Sequence, residues 1–316
     1  MKKDTIKNVE LYCGVDTLQV KSVTEPNGNM AEIPFISKSV SCSKDGTLHH
    51  YRLNPDKAND NIGIYDGAVY YQTVDYMLDR LNLEQPKKER IDIRFDSFDD
   101  NYDRLLKLNR LLILLVANEY NLDNRYESTD PLSLDHLCVR VQNKDGSLQI
   151  ENYNKGKQEL NGLVKNRLEF RTSKMSDYIP EKNKELKAFL DWCNRLDEAV
   201  TANNLNELLR KLNDALINKY DQEKNEKGFN IYEFLREHRK SIFTSKQMAE
   251  FISYSIESKD AMQWAKRYKS RRSIEYFSLQ DLKDYVALIK RCGKRFFKQK
   301  ISEKVYICTD SLKINV

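Results

Sequence analysis

The stretch RIDIRFDSF, Arg90 to Phe98, decides the fold class. Ile91, Ile93 and Phe95 alternate with Asp92, Arg94 and Asp96, and a period of two sends the two sets to opposite faces of a strand. One face is built for a core and the other carries charge, which is the pattern of an antiparallel sheet. Neighbouring segments extend it. Val9 to Val23 alternates loosely, and Ile62 to Val74 contains the β-rich GAVYYQTV. Asn101 to Tyr120 repeats Leu and Ile at helical spacing. A hairpin follows, Leu137–Gln142 and Ser147–Tyr153, with an Asp145-Gly146 step that supplies the positive φ of a tight turn. Asn166 to Thr172 (NRLEFRT) then sets Leu168 and Phe170 against Glu169 and Arg171.

After Met175 the pattern turns helical. Pro180 suits a first helical position, and helices are expected at 181–200, 204–220, 231–239, 245–256, 259–269 and 279–291, with a short strand at 305–308. Thr244 with Gln247 and Ser278 with Asp281 resemble capping boxes. The expected class is therefore α+β: an antiparallel-sheet domain over residues 1–178 and a mostly helical domain over 179–316. A chain of 316 residues has room for two such cores.

Composition limits the function. Hydrophobic residues make up 40% and Gly and Pro number only 10 and 6, so the chain is neither disordered nor fibrous. The longest apolar run, LLILLVA from Leu111 to Ala117, is far short of the ~20 residues of a membrane span. Met1 to Asn8 is polar, which points to a cytoplasmic protein with no membrane partner. The cysteines, Cys13, Cys42, Cys138, Cys193, Cys292 and Cys308, never form a C-x-x-C pair, so reduced thiols in or near the core are expected. His49 and His50 are adjacent, and no two histidines have metal-binding spacing, so any metal must be held mainly by carboxylates.

Charge is unevenly spread. Trp264 to Lys300 carries 12 Lys/Arg and 3 Asp/Glu, net +9, while the other residues carry 41 and 45, net −4. Trp264, Tyr268, Tyr276, Phe277, Tyr285, Phe296 and Phe297 are interleaved with those cations. A cationic, aromatic surface suits nucleic acid, although solvated helix faces over buried aromatics give the same pattern. Ser245 to Arg272 reads as two short helices leading to a basic tip, either a helix-turn-helix or an ordinary amphipathic pair.

The strand faces supply candidate chemistry. Asp92 and Asp96 share one side of a strand, Glu151 and Tyr153 share parity on the hairpin, and Glu169 lies opposite the apolar Leu168 and Phe170. If these strands are neighbours, carboxylates converge beside a tyrosine hydroxyl and offer oxygen ligands to Mg²⁺ or Mn²⁺. A solvated sheet face is the plainer alternative.

The order RIDIRFD (Arg90–Asp96), YNKGKQE (Tyr153–Glu159) and NRLEFR (Asn166–Arg171) resembles the replication initiators of Gram-positive rolling-circle plasmids and the related relaxases of conjugative transposons. The resemblance spans about residues 85–175. It implies a ferredoxin/RRM-like catalytic sheet with Tyr153 as nucleophile, Lys155 as a phosphate contact, and Asp92, Asp96 and Glu169 as metal positions. Glu151 stands where the family has an arginine. The implied activity is nicking of one DNA strand at an origin through a 5′-phosphotyrosine link, with double- and single-stranded origin DNA as the partner. Lys266, Arg267, Lys269, Arg271 and Arg272 are then the chosen DNA contacts, and the family analogy adds a host helicase and a homodimer. Two other readings remain: a non-catalytic DNA-binding regulator using the basic helices, and a metal-dependent nuclease that hydrolyses with water. The nicking reading also expects Asp92, Glu169 and Tyr153 on one face, within a metal's reach of each other.

Overall fold

The computed structural model describes residues 9–25, 33–36, 41–98, 102–124, 138–153, 155, 166–230, 233–234 and 279–298. In chain order the elements are β1 (Tyr12–Ser22), β2 (Ser41–Cys42), β3 (His49–Leu53), α1 (Pro55–Ala58), α2 (Gly67–Leu81), β4 (Lys87–Ser97) and α3 (Tyr102–Tyr120). They continue with β5 (Asp123–Asn124), β6 (Cys138–Gln142), β7 (Leu148–Tyr153), β8 (Asn166–Ser173), a 3₁₀ turn at Glu181–Asn183, α4 (Lys184–Ala199), α5 (Ala202–Glu223) and α6 (Leu279–Lys298).

The strands form one sheet in the order β2-β3-β1-β4-β8-β7-β6-β5, and each registered pair is antiparallel. The class is α+β. The alternation in Arg90–Phe98 becomes β4, near the middle of the sheet, with Ile91, Ile93 and Phe95 fully or almost fully buried. The hairpin forms as its turn residues require, with Gly146 at φ 67°.

The loose alternation of β1 has a structural cause. Val15 pairs with Ile93 and Thr17 with Asp92, so Asp16 is an extra residue, a β-bulge. Before it Cys13 and Val15 face the core; after it Leu18 and Val20 do. The phase of the pattern shifts by one.

GAVYYQTV is helix rather than strand. Its β-branched and aromatic residues favour a strand locally, but Asp66 caps the segment by accepting from the Ala68 and Val69 amides at 2.8 and 3.1 Å. Tyr70, Val74, Met77 and Leu81 then fall on one buried stripe. Packing of that stripe outweighs propensity.

The helices pack on the apolar face of the sheet. Phe189 of α4 meets Phe95 at 6.3 Å between ring centroids, and Trp192 stacks on Phe170 at 5.0 Å while donating to Thr172 Oγ1 at 3.0 Å. Tyr285 of α6 donates to Asn109 of α3, which bonds Asn166 of β8 at 2.7 Å. Residues of α4 and α6, which follow the division expected at 178/179, are buried in the same hydrophobic cluster as those of the sheet. Expected elements at 245–256, 259–269 and 305–308, and most of 231–239, lie outside the described residues. Trp192→Ala should remove the stacking, the hydrogen bond and a large apolar surface together. A loss of about 3–5 kcal/mol is expected in urea unfolding, with far-UV helix content falling as α4 loosens.

Among the described residues no helix is long and apolar enough to cross a membrane. Cys13, Cys193 and Cys292 are buried free thiols, and Cys42 is free and exposed.

Candidate active site

Strand register arranges the other sheet face in rows. Tyr153, Arg167, Asp96 and Tyr12 are successive partners across β7, β8, β4 and β1. The next row is Arg140, Glu151, Glu169, Arg94 and Gly14, and the third is Gln142, Gln149, Arg171, Asp92 and Thr17. Asp92, Glu169 and Tyr153 therefore share one face, as the alternation required.

This face is charged yet buried: Asp92, Arg94, Asp96, Glu151, Arg167 and Glu169 are each 6% exposed or less. Burying ions is tolerable only when they are paired and hydrogen-bonded, and here arginines interleave with acids. Arg167 grips Asp96 with two bonds of 2.6 and 2.8 Å and reaches Asp16 at 2.7 Å. Asp92 takes two bonds from Arg90, at 2.9 and 2.6 Å, and one from Arg171 at 3.0 Å. Arg140 holds Glu151 at 2.8 and 2.9 Å. Arg94 is drawn to Asp56 of α1, and its guanidinium lies 5.2 Å from the ring centroid of Tyr65. Tyr65 in turn donates to Asp96 at 2.8 Å.

The β1 bulge contributes Asp16, which strand alternation could not place. Although burial opposes its ionisation, the cations of Arg167, Lys155 and Arg94 hold its carboxyl down to about 2. Lys155, the expected phosphate contact, lies 3.5 Å from the same carboxylate. Gly14 lets the strand approach closely: a Cβ there would lie 2.6 Å from the Ile64 carbonyl oxygen and 2.9 Å from Arg94 Nε. Gly14→Ala should cost about 1–3 kcal/mol by overpacking, read as a lowered urea midpoint at an unchanged m-value.

Glu169 is the exception among these acids. Its cross-strand neighbour is Glu151, a like charge, and Arg94, across the other side, is turned toward Asp56. Its Oε2 accepts from the Tyr153 hydroxyl at 3.1 Å, while its Oε1 is 3.6 Å from Arg171 Nη2. Burial, and then the charges of Asp16, Asp92 and Glu151, push the Glu169 carboxyl from its ordinary 4.5 up to about 8, with Arg167 opposing. Burial and the charge of Glu169 also raise the Tyr153 phenol well above its usual range, again against Arg167. The Arg167 guanidinium lies 6.0 Å from the Tyr153 ring centroid. A tyrosine oxygen, a carboxyl of raised proton affinity that can accept the phenolic proton once it has ionised, and a fixed cation therefore sit together, the parts needed for nucleophilic attack on an anionic ester.

The expected metal ligands are brought to one face but given other partners. Both oxygens of Asp96 and both of Asp92 accept from guanidinium groups, and Arg171 lies between Asp92 and Glu169. No group of three His, Cys, Asp or Glu side chains among the described residues is placed to hold a metal ion. As arranged, Asp92, Asp96 and Glu169 do not fit Mg²⁺ or Mn²⁺, which need several free oxygens around one point, and no chemical step is assigned to a metal. Glu151, which shares parity with Tyr153, is held by Arg140 and by Gln149 at 2.8 Å; the acid that accepts from the Tyr153 hydroxyl is Glu169. Lys266, Arg267, Lys269, Arg271 and Arg272 lie outside the described residues.

No protein-family model matches the chain, and no curated protein sequence matches it. Among solved structures it is similar to a rolling circle replication initiator protein from Geobacillus stearothermophilus, at 16% identity and a TM-score of 0.29, over 52% of this chain and 75% of that one.

Proposed function

We propose that this protein is a DNA strand-transferring nickase, of the replication initiator or relaxase kind, with Tyr153 as nucleophile. The observation that carries the reading is the hydroxyl of Tyr153 donating at 3.1 Å to Glu169. Among the described residues of this face, Glu169 is the buried acid whose hydrogen bond comes from a tyrosine instead of an arginine. In the reaction Glu169, in its ionised form, takes the phenolic proton on Oε2 while Tyr153 Oη bonds to phosphorus. The P–O3′ bond breaks, the 3′ oxygen takes a proton from solvent, and the 5′ phosphate remains esterified to Tyr153. Energy stored in that ester allows later rejoining. Arg167, and Lys155 beside Asp16, supply positive charge against the charge that builds on the phosphoryl oxygens.

The proposed substrate is one strand of an origin. Lys266, Arg267, Lys269, Arg271 and Arg272 are the proposed duplex contacts, and a host helicase and a second copy of the chain are proposed partners. Incubation with 5′- and 3′-labelled origin DNA, followed by a denaturing gel, tests the reading. A protein–DNA band retaining the label 3′ of the nick supports it. Strand breaks without that band indicate hydrolysis by water, and salt-sensitive binding without breaks indicates a regulator.

A further inference from the structure

A chain of buried amides crosses the core beneath the row that contains Tyr153. Asn152 precedes Tyr153 on β7, so its side chain takes the opposite face and enters the apolar side of the sheet. Ile150 shares that face, and Leu168 is the partner of Asn152 on β8. There Asn152 Nδ2 donates to the carbonyl of Arg167 at 2.8 Å and to Asn166 Oδ1 at 2.7 Å. Asn166 Oδ1 also accepts from Asn109 Nδ2 of α3 at 2.7 Å, and Asn109 Oδ1 accepts from the Tyr285 hydroxyl of α6. All four side chains are fully or almost fully buried.

The chain ends at the weakest point of the ladder. Tyr153 and Arg167 form the last registered pair between β7 and β8, and element ends are where a fold opens most easily. The Asn152 side chain adds a bond to the Arg167 carbonyl in that last pair. It ties the strand of the tyrosine to the strand of its cation and, through Asn109 and Tyr285, to two helices. Both Nδ2 protons of Asn152 and both lone pairs of Asn166 Oδ1 are used. Asn152 Oδ1 and Asn166 Nδ2, however, are buried with no hydrogen-bond partner. A buried polar atom left unpaired is destabilising, so apolar side chains would fill this part of the core at less cost. Stability alone does not account for three asparagines here. What they supply is direction.

We propose that Asn152, Asn166, Asn109 and Tyr285 are positioning residues, a clamp from α6 to the end of β7 that keeps Tyr153 opposite Arg167 and its hydroxyl on Glu169. The clamp rests on the nickase reading for its catalytic consequence, but not for its effect on the strands. Attack on phosphorus needs an aligned nucleophile, and a displacement of about 1 Å costs about 10²-fold in rate. A tyrosine on a fraying pair would spend much of its time out of line.

Two variants release opposite ends of the clamp. Tyr285→Phe deletes one oxygen, and Asn152→Val, which suits a strand, removes the bonds to Asn166 and Arg167. Each should slow formation of the covalent adduct with a 3′-labelled origin strand about 10- to 100-fold in single turnover, with unchanged affinity for that strand. Hydrogen exchange read by mass spectrometry should speed up in peptides covering the end of β7 and the start of β8, and stay as in wild type in β1 and β3. Tyr51→Phe is the matched control. It deletes an equally buried hydroxyl, bonded to the Thr24 carbonyl at 2.5 Å, on β3 toward the opposite edge of the sheet. It should cost a similar few degrees of melting temperature and leave the adduct rate as in wild type. A merely structural role would make control and clamp variants lose rate alike, and that outcome would overturn the clamp. So would wild-type exchange at the end of β7, or an unchanged adduct rate, in both clamp variants. If exchange there accelerates but the wild type itself forms no adduct, the nickase reading fails and the clamp stands.

Discussion

Tyr153→Phe is expected to abolish the covalent protein–DNA product on a supercoiled origin plasmid while leaving DNA binding intact. The substitution deletes one oxygen and retains the ring that packs near Arg167. What it removes is the bond donated to Glu169. Because that carboxyl already binds a proton at neutral pH, the loss should cost on the order of 1 kcal/mol of stability or less, and the variant should fold. Denaturing electrophoresis of labelled DNA with wild type and variant side by side is the measurement. A covalent band in the variant would move the nucleophile to another residue, and Tyr65, which donates to Asp96 at 2.8 Å in the same face, would be next to replace.

Glu169→Gln is expected to slow adduct formation by about 10²–10⁴-fold and to remove its dependence on pH. In the wild type the rate should climb about ten-fold per pH unit and level off above about 8, where Glu169 loses its proton and can accept that of Tyr153. The same carboxyl makes a stability prediction of opposite sign. Its folded pKa is raised, so between about pH 4.5 and 8 the folded chain keeps a proton that the unfolded chain has released. Folded stability therefore falls as pH rises through that window. Gln cannot ionise, and its carbonyl can still accept from Tyr153. The variant should melt several degrees higher than wild type at pH 8, with little difference at pH 5. Loss of adduct formation together with a gain in stability on replacing one carboxyl oxygen by an amide nitrogen would mark that group as placed for reaction and not for folding. Equal rates at pH 7 and 9 in the wild type would remove Glu169 from the proton transfer.

Local sequence made much of this site legible. In Arg90–Phe98 and Asn166–Thr172 the sheet face of every residue follows from parity, so Asp92, Asp96 and Glu169 could be assigned to one side before any register was known. Tyr153 and Glu151 shared parity in the same way. The acids looked like metal ligands because a sequence shows a carboxylate without showing what it holds. The arginine that grips Asp96 is 71 residues away, and the one on Asp92 from β8 is 79 residues away. Asp16 could not be read at all, since a bulge breaks the alternation by which such residues are found. The helix at 67–81 was hidden for a related reason: its local propensity favours a strand, and the stripe of Tyr70, Val74, Met77 and Leu81 matters only once a core exists to bury it.

By itself the sequence determined an α+β chain with an antiparallel sheet, a charged sheet face bearing Tyr153 and Glu169, and a cationic C-terminal stretch. These follow from periodicity and composition, which are properties of short segments. Only the tertiary structure decided that Glu169 and not Glu151 meets the tyrosine, that Asp92 and Asp96 belong to arginines, and that α4 and α6 finish the core of the sheet. Each of those depends on strand order and register, the choice of which distant residue stands opposite which. Once burial excludes water, that choice fixes which charges are neutralised and which carboxyl keeps its proton.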